Sequence, residues 1–591
     1  MKVIENRDYS RLIAAATQRI PCDLTIKNVK LVNVLTGEIY PASVDVKDGV
    51  IVHVQPGENC DSVSEKIYDG QGRYLMPGFV EIHMHVESSM LTPENFGREA
   101  ILHGTTTAVV DPHEIGNVSG IEGMMYMVED AKKSPVRQIN MAPSCVPADS
   151  EFETVPFPVR APEMSRILDM EGMYGIAEVM DSNAVIQDKE FMRDILHEGR
   201  RRNLPIQGHC FGARGRGLSA YRLAGVINTH TVLTGDEVRE YMRAGMHANM
   251  QSSSLATMFG LKDMIQGVEG MKYMDFLSVC TDDVHAKDMQ HNGHINAIYK
   301  QLLALGVDAM DAIRYCTYNP ARETGFEDLG AIAPGFVADM QLVEELDGRD
   351  PSAVFVAGRQ MVEAGCVTVP ASAKNTEIPF SSTVNIKEMT AEDCRLAVPF
   401  ARAEFPVVDC SAGRFGFKEV WQELPVKDGY ADITGRDDCC YVAVFNRFGL
   451  GTKCIGVYSG FGLKEGAMAT TIAHDCHNIV VAYKDPADAA LAINRLRETG
   501  GGIVAVKDHK LLGEVQLPVA GLMSVKPCKE LVEELDALAE LLKGIWEEEN
   551  PSLLKLSLLA LTVVGGIAMT DTSLVDGTNR VKVPAFRRIE A

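Results

Sequence analysis

Long hydrophobic runs are missing from this chain. The most apolar stretch, LLKLSLLALTVVGGIAM, is interrupted by Lys555 and falls short of the roughly 20 apolar residues that a membrane-spanning helix requires. No membrane role is therefore expected. The first twenty residues, MKVIENRDYSRLIAAATQRI, scatter charges where a secretory signal would carry an unbroken apolar core. CxxC pairs are absent too. The 14 cysteines are dispersed along the chain, and the adjacent Cys439 and Cys440 make no disulfide framework, so reduced thiols in a cytoplasmic protein are expected. Positive charge is scarce: 57 Lys and Arg face 81 Asp and Glu, giving a formal net charge of -24. Such a field repels nucleic acid and anionic membranes. A small neutral or cationic molecule is the partner that fits.

What remains is an ordinary balance for a folded protein, 46% apolar and 23% charged over 591 residues. That length exceeds one core and, at about 150 residues per domain, suggests three or four units. Residues 1–21 read as an N-terminal helical extension. Short β-type runs such as DLTIKNVKLVNV and SVDVKDGVIVHV, broken by Thr36-Gly37 and Asp48-Gly49, fill residues 22–75. Similar runs return over 330–372, and the two pieces are expected to fold as one β-sandwich. Between them, over 76–329, apolar strand-like runs alternate with helix-length segments. Eight can be counted: YLMPGFVEIHMH, TTAVVDPHE, QINMAPSCVP, MYGIAEVMD, PIQGHC, VINTH, HANMQ and FLSVCTDD. Eight such repeats predict a (β/α)8 TIM-like barrel, whose active site belongs at the carboxyl ends of its strands. Residues 380–591 carry further β-type runs and a helix over 529–546 striped by Leu531, Leu535, Leu538, Leu542 and Ile545. A separate C-terminal α/β domain is expected there.

The polar residues gather at those strand ends. His83-x-His85 closes the first run, and alternate strand positions can present two imidazoles to one ion. Glu178 follows the fourth, His209 the fifth, His230 the sixth and Asp282 the eighth. A lone histidine is more often a satisfied core residue; four histidines and two acids at successive strand ends are a ring of metal-type ligands. Two cations need an anionic bridge, which Glu178 can supply, since MYGIAEVMD contains no lysine to carbamylate. His83, His85 and Asp282 would then hold one ion and His209 and His230 the other; a one-ion site is the simpler alternative. Such ions supply hydroxide, and Asp282 can take its proton and pass it to a leaving amine. His113 and Glu114 in DPHE, and Glu87 after the first strand, are candidates for proton transfer and substrate binding. Glu87 could instead cap a helix, and Glu114 could only orient a ligand. Cys210 and Cys280, close to these ligands, read as small buried apolar side chains. The loop FGARGRG lacks phosphate-binding spacing. His474-Asp475-x-His477 looks like a second metal or catalytic cluster, or a hydrogen-bonded turn.

At PGFVEIHMHVESSMLTP, GTTTAVVDPHEIGNVSG, CTDD followed by GHI, and AHDCHNI, the sequence resembles the adenine deaminase family of the amidohydrolase superfamily over nearly its whole length. The resemblance implies a metal-dependent hydrolase that converts adenine to hypoxanthine and ammonia with two manganese or iron ions. It implies metal roles for His83, His85, Glu178, His209, His230 and Asp282, places Glu87 and His113 near the purine base, and suggests a homodimer. By ligand type alone manganese, iron and zinc suit equally. The family usually carries Glu after the sixth-strand histidine, Arg-Glu-Gly-Ser after strand seven and Arg after the paired aspartates. This chain has Thr231, Gln251-Ser252-Ser253-Ser254 and Val284 there. A second reading keeps the machinery but changes the substrate to another aminopurine or a cyclic amide. A third is a metal-binding or assembly protein without catalysis.

Overall fold

Alternating apolar residues near the N-terminus build a sheet that residues nearly 300 positions later complete. In the computed structural model of this chain the described residues are 2–232, 234–252, 260–372, 378, 380, 382–411, 416–547 and 553–589. A short helix, Tyr9–Ala16, precedes strands β1 (Cys22–Asn33), β2 (Glu38–Lys47), β3 (Val50–Pro56), β4 (Ser64–Asp69) and β5 (Tyr74–Pro77). Ile26, Leu31, Val44, Ile51 and Leu75 point into one buried cluster, the two-residue period of a half-buried sheet.

The strand-like run YLMPGFVEIHMH breaks at Gly78. Its first half is β5; its second half is β6 (Phe79–Met84), which belongs to a different sheet. Only glycine fits at the crossing, because a Cβ on residue 78 would lie 2.3 Å from the Thr106 side chain. From β6 the parallel pairing continues through β7 (Thr105–Val110), β8 (Arg137–Ala142) and β9 (Met173–Ile176). The fifth expected run forms no extended strand but makes a parallel bridge from Ile206 to Ile176. The Ile227 N–H then donates to the Ile206 carbonyl at 3.0 Å. Next come β10 (Asn228–Thr229), β11 (His247–Gln251) and β12 (Leu277–Cys280), also parallel. A parallel bridge between Met84 and Asp282 returns the pairing to β6.

Strands β13 (Met340–Val343), β14 (Ala353–Val356), β15 (Arg359–Glu363) and β16 (Cys366–Val367) extend the first sheet, with β13 antiparallel to β5. The C-terminal region holds β17 (Ala403–Asp409), β18 (Lys418–Leu424), the small pair β19 (Val426–Lys427) and β20 (Tyr430–Ala431), β21 (Cys439–Phe445), β22 (Lys453–Ser459), β23 (Ala467–Thr470), β24 (Ile479–Tyr483), β25 (Gly502–Lys507) and β26 (Lys510–Gln516). Its main sheet runs β18-β17-β22-β21-β24-β23-β25-β26. The helix Pro486–Thr499 packs Ala489, Ile493 and Leu496 on one face of this sheet. The other face shares an apolar cluster with the region around β6: Met84, Val86 and Leu91 pack with Val442, Val444, Met468 and Ile503. The helix expected over 529–546 spans Cys528–Leu542, and Ile545 reaches the core from the turn beyond it. Among the described residues no helix is long and apolar enough to cross a membrane. All 14 cysteines are free thiols.

The short strands β10 to β12 are tied together by a buried carboxylate. Asn228, Asn249 and Ser278 donate side-chain hydrogen bonds to Glu323 at 2.6, 2.9 and 2.9 Å. Removing that acceptor strands three buried donors. Glu323→Ala is expected to lower the free energy of unfolding by about 3 kcal/mol, read from urea midpoints; a loss under about 0.5 kcal/mol would show that the short strands hold without the clamp.

Candidate metal centre

Most of the ligand-type side chains sit at or just beyond the end of a strand in the barrel segment, His209 following the single bridge at Ile206 instead. His83 lies within β6 and His85 one residue past it; Glu178 is two beyond β9, His230 directly after β10, and Asp282 two after β12. Asp282 has a φ of 57°, a left-handed conformation that costs a non-glycine residue energy. Backbone bonds on both sides hold it there: its N–H donates to the His83 carbonyl at 3.1 Å, and the His85 N–H donates to its own carbonyl at 3.2 Å.

Glu178 occupies the middle. Its Oε1 is 3.3 Å from His85 Nε2, 3.5 Å from His113 Nδ1 and 3.8 Å from His83 Nε2. Its Oε2 is 2.6 Å from His209 Nδ1 and 3.4 Å from His230 Nε2. Asp282 Oδ1 stands 3.2 Å from His85 Nε2 and 3.5 Å from His83 Nε2. The rings of His83 and His230 stack at 4.0 Å. Partners on the far side of the rings aim them: His85 Nδ1 is 3.0 Å from the Asp111 carbonyl, and His83 Nδ1 is 3.4 Å from Gln207 Oε1. Such outer hydrogen bonds leave Nε2 as a lone-pair donor.

Burial should drive these carboxylates neutral, yet the surrounding imidazoles outweigh it and hold Glu178 and Asp282 well below the usual carboxylate range. Burial and the neighbouring His83 push His230 down to about 3. For His85 burial opposes protonation, but Asp282 and Glu178 prevail and raise it well above its ordinary value. The cluster thus puts protons where a cation would otherwise neutralise one buried and one half-buried anion. Buried atoms of His83 (Nε2), His209 (Nε2), Asp111 and His113 have no hydrogen-bond partner among the described residues. This nitrogen and oxygen donor set, with unpartnered atoms converging, fits divalent metal.

Around the ligands, Glu87 accepts the Ile115 N–H at 3.2 Å with Oε1 and leaves Oε2 unpartnered. It caps a helix and still offers an oxygen to the site. Burial and the charge of Glu114 push its carboxyl up to about 7. Glu114 turns away from the ligands: Oε1 accepts from the Ser88 hydroxyl at 3.0 Å and lies 3.0 Å from His474 Nδ1, while Oε2 lies 2.8 Å from His477 Nε2. The C-terminal triplet thus reaches the barrel mouth, with Asp475 Oδ1 3.7 Å from His113 Nε2. Sequence reasoning missed Asp111 and Asp283. Asp111 is grouped with His85, His113 and Glu178, and Asp283 with His85 and Asp282. Adjacency to named residues in DPHE and TDD was the available signal. Of the unusual positions, Thr231 pairs its hydroxyl with Thr229 at 3.0 Å, Gln251 donates to the His230 carbonyl at 3.1 Å, and Val284 is buried in the shared apolar cluster. Ser253 and Ser254 lie outside the described residues.

Residues 74–361 match the amidohydrolase family, and residues 417–580 match the adenine deaminase C-terminal domain. An adenine deaminase of Bacillus velezensis is 36% identical over 97% of this chain and 98% of its own. Adenine deaminase 2 of Carboxydothermus hydrogenoformans is 35% identical over 97% and 98%, and an adenine deaminase of Methanothermobacter thermautotrophicus 33% over 92% and 97%.

The chain belongs to the adenine deaminase family.

In this family member the two matched regions meet at the metal centre, through Glu114 on one side and His474 and His477 on the other. A ligand that binds only the folded form stabilises it by mass action, by about 2.7 kcal/mol at a hundredfold excess over its dissociation constant. Manganese added to metal-stripped protein is expected to raise the unfolding temperature, and Glu178→Ala to lose most of that rise. An equal rise in the variant would remove Glu178 from the ligand set.

Proposed function

We propose that this protein hydrolyses adenine to hypoxanthine and ammonia at the mouth of a (β/α)8 barrel formed by residues 76–329. Residues 22–75 and 330–372 form its flanking β-sandwich, 1–21 a helical extension, and 380–591 an α/β domain that closes over the mouth. The observation that carries the reading is full-length relatedness: adenine deaminases align over both regions whose side chains meet at the site. A cytoplasmic homodimer is the accompanying reading.

His83, His85 and Asp282 would hold one divalent ion and His209 and His230 a second, with Glu178 serving both; its Oε1 faces His83 and His85 and its Oε2 faces His209 and His230. Manganese or iron suits the site first, zinc after them. Bound there, such ions would supply hydroxide at neutral pH, and the amino-bearing ring carbon is the electrophile it would meet. Asp282 accepts the proton released on attack and returns it to the departing amine. Glu87, through an Oε2 without a hydrogen-bond partner, and His113, whose ring nitrogens face carboxylates at 3.3 to 3.7 Å, hold the base and serve its ring nitrogens. Glu114, whose two oxygens are engaged by Ser88, His474 and His477, holds the C-terminal segment in place.

Protein reloaded with manganese is expected to release ammonia from adenine and to give little or none with other aminopurines, cytosine or hydantoins. Activity elsewhere with silence on adenine would mean that Thr231, Gln251 and Val284 rebuilt the pocket for another substrate. Asp282→Asn should lower kcat by about 10²- to 10⁴-fold. Metal analysis should find two ions per chain and fewer in Glu178→Ala; an unchanged count above one would sink the bridging role.

A further inference from the structure

We propose that Asp475, delivered from the C-terminal domain, is the residue that recognises the free base, its carboxylate accepting the imidazole-ring N–H that a nucleoside or nucleotide lacks. This rests on the adenine reading above and assigns its selectivity to one side chain. Asp475 is 4% exposed, and its Oδ2 has no partner among the described residues. A buried carboxylate oxygen without a donor is costly, so a donor that arrives with the ligand is what the position calls for.

His113 Nε2 faces the other oxygen, Oδ1, at 3.7 Å, and the remaining neighbours do not supply Oδ2 with a donor. His474 Nδ1 is 3.8 Å from Asp475 but only 3.0 Å from Glu114. Glu153, raised to about 8 by burial and by the charge of Asp475, engages Thr562 at 2.6 Å and Cys476 at 3.4 Å. Arg447, fully buried behind the segment, spends its guanidinium on the Thr383 carbonyl and hydroxyl, the His477 carbonyl and the Ala520 carbonyl.

The position is also held firmly. The Ala473 N–H donates to His477 Nδ1 at 3.2 Å, which puts the ring proton on Nε2, the atom facing Glu114. With His474 on the other oxygen of Glu114, the segment is fastened to the barrel on both sides of Asp475. Asp475 then faces one edge of His113 while Glu178 lies 3.5 Å from the other. One imidazole ring thus separates the metal-ligand carboxylate from Asp475. A bicyclic base can span that gap with its amino-bearing carbon at the metals and its imidazole N–H at Asp475. A substituent on that nitrogen removes the donor and leaves the carboxylate buried and unpaired, the situation in which polar sites discriminate most strongly.

The test uses the full chain loaded with manganese, as wild type, Asp475→Ala and Asp475→Asn, the last keeping the side-chain shape in case alanine fails to fold. Ammonia release is measured from adenine and 9-methyladenine, binding of unreactive purine and 9-methylpurine by calorimetry, and metal content per chain. Asp475→Ala is expected to lower kcat/KM for adenine by about 10²-fold, mainly through KM, to weaken purine binding by about tenfold or more, and to shrink the preference for adenine over 9-methyladenine by a similar factor. Metal content should match wild type, and Asp475→Asn should fall between. Unchanged purine binding and unchanged preference in both variants overturn the proposal, as does loss of metal with purine binding intact. Wild type that releases no ammonia from adenine overturns the adenine reading instead; purine binding, which needs no turnover, still decides the role of Asp475.

Discussion

Two carboxylates ionised amid imidazoles, Glu178 buried and Asp282 half-buried, set the terms for this structure. Taking an ion from water into a protein interior costs several kcal/mol unless opposite charge and hydrogen bonds compensate it. Glu178 and Asp282 have that compensation from His83, His85, His209 and His230. Imidazoles alone do it imperfectly: His230 is pushed toward neutrality while His85 is pushed toward charge. A bound cation would resolve the conflict, because it would neutralise the carboxylates and leave the imidazoles free to act as neutral donors. The strained Asp282 backbone belongs to the same account, since the bonds that hold it link the last strand of the ring to the first.

The same electrostatic problem recurs one layer out, with a different solution. Glu114 is buried at the barrel mouth, and burial favours its neutral form, yet His474 and His477 outweigh it and keep the carboxyl well below its ordinary range. Both histidines belong to the C-terminal domain, so an anion of the barrel is satisfied only when that domain is docked. The apolar cluster that joins Val86 and Leu91 to Val444 and Met468 supplies area without direction; the Glu114 pairings supply register. Docking and the position of Asp475 over His113 are therefore one event.

What could be read from the sequence follows the range of the interactions. Period-two alternation and the eight runs between residues 76 and 283 exposed the strands and the residues at their ends, because a strand's end is a local property. The break at Gly78 was hidden, since it depends on Thr106, and the fifth run looked like a strand although Ile206 contributes a single bridge. Long-range partners could not be read at all. Glu114 offered two local roles in the sequence, proton transfer or the orientation of a nearby ligand, while in space it meets residues 360 positions away. Asp283 is hidden because the neighbour of a strand-end ligand normally faces away, and the left-handed turn that aims Asp282 leaves no mark in composition; Asp111, two positions before His113, is hidden because the sequence does not show whether the strand still alternates through Pro112.

The departures at Thr231, Gln251 and Val284 take on a different weight once their surroundings are known. Gln251 ties its amide to the carbonyl of His230 and Thr231 ties its hydroxyl to Thr229, so both changes sit behind a candidate metal ligand and brace the strand that carries it. Val284 joins the apolar cluster beneath the C-terminal domain, where an arginine would need its own acceptor. These substitutions exchange charge for packing around an unchanged ring of ligands. Outside the ring of ligand-type residues, Glu87, His113 and Asp475 each keep a polar atom without a hydrogen-bond partner among the described residues, the feature that a bound base would need to meet there.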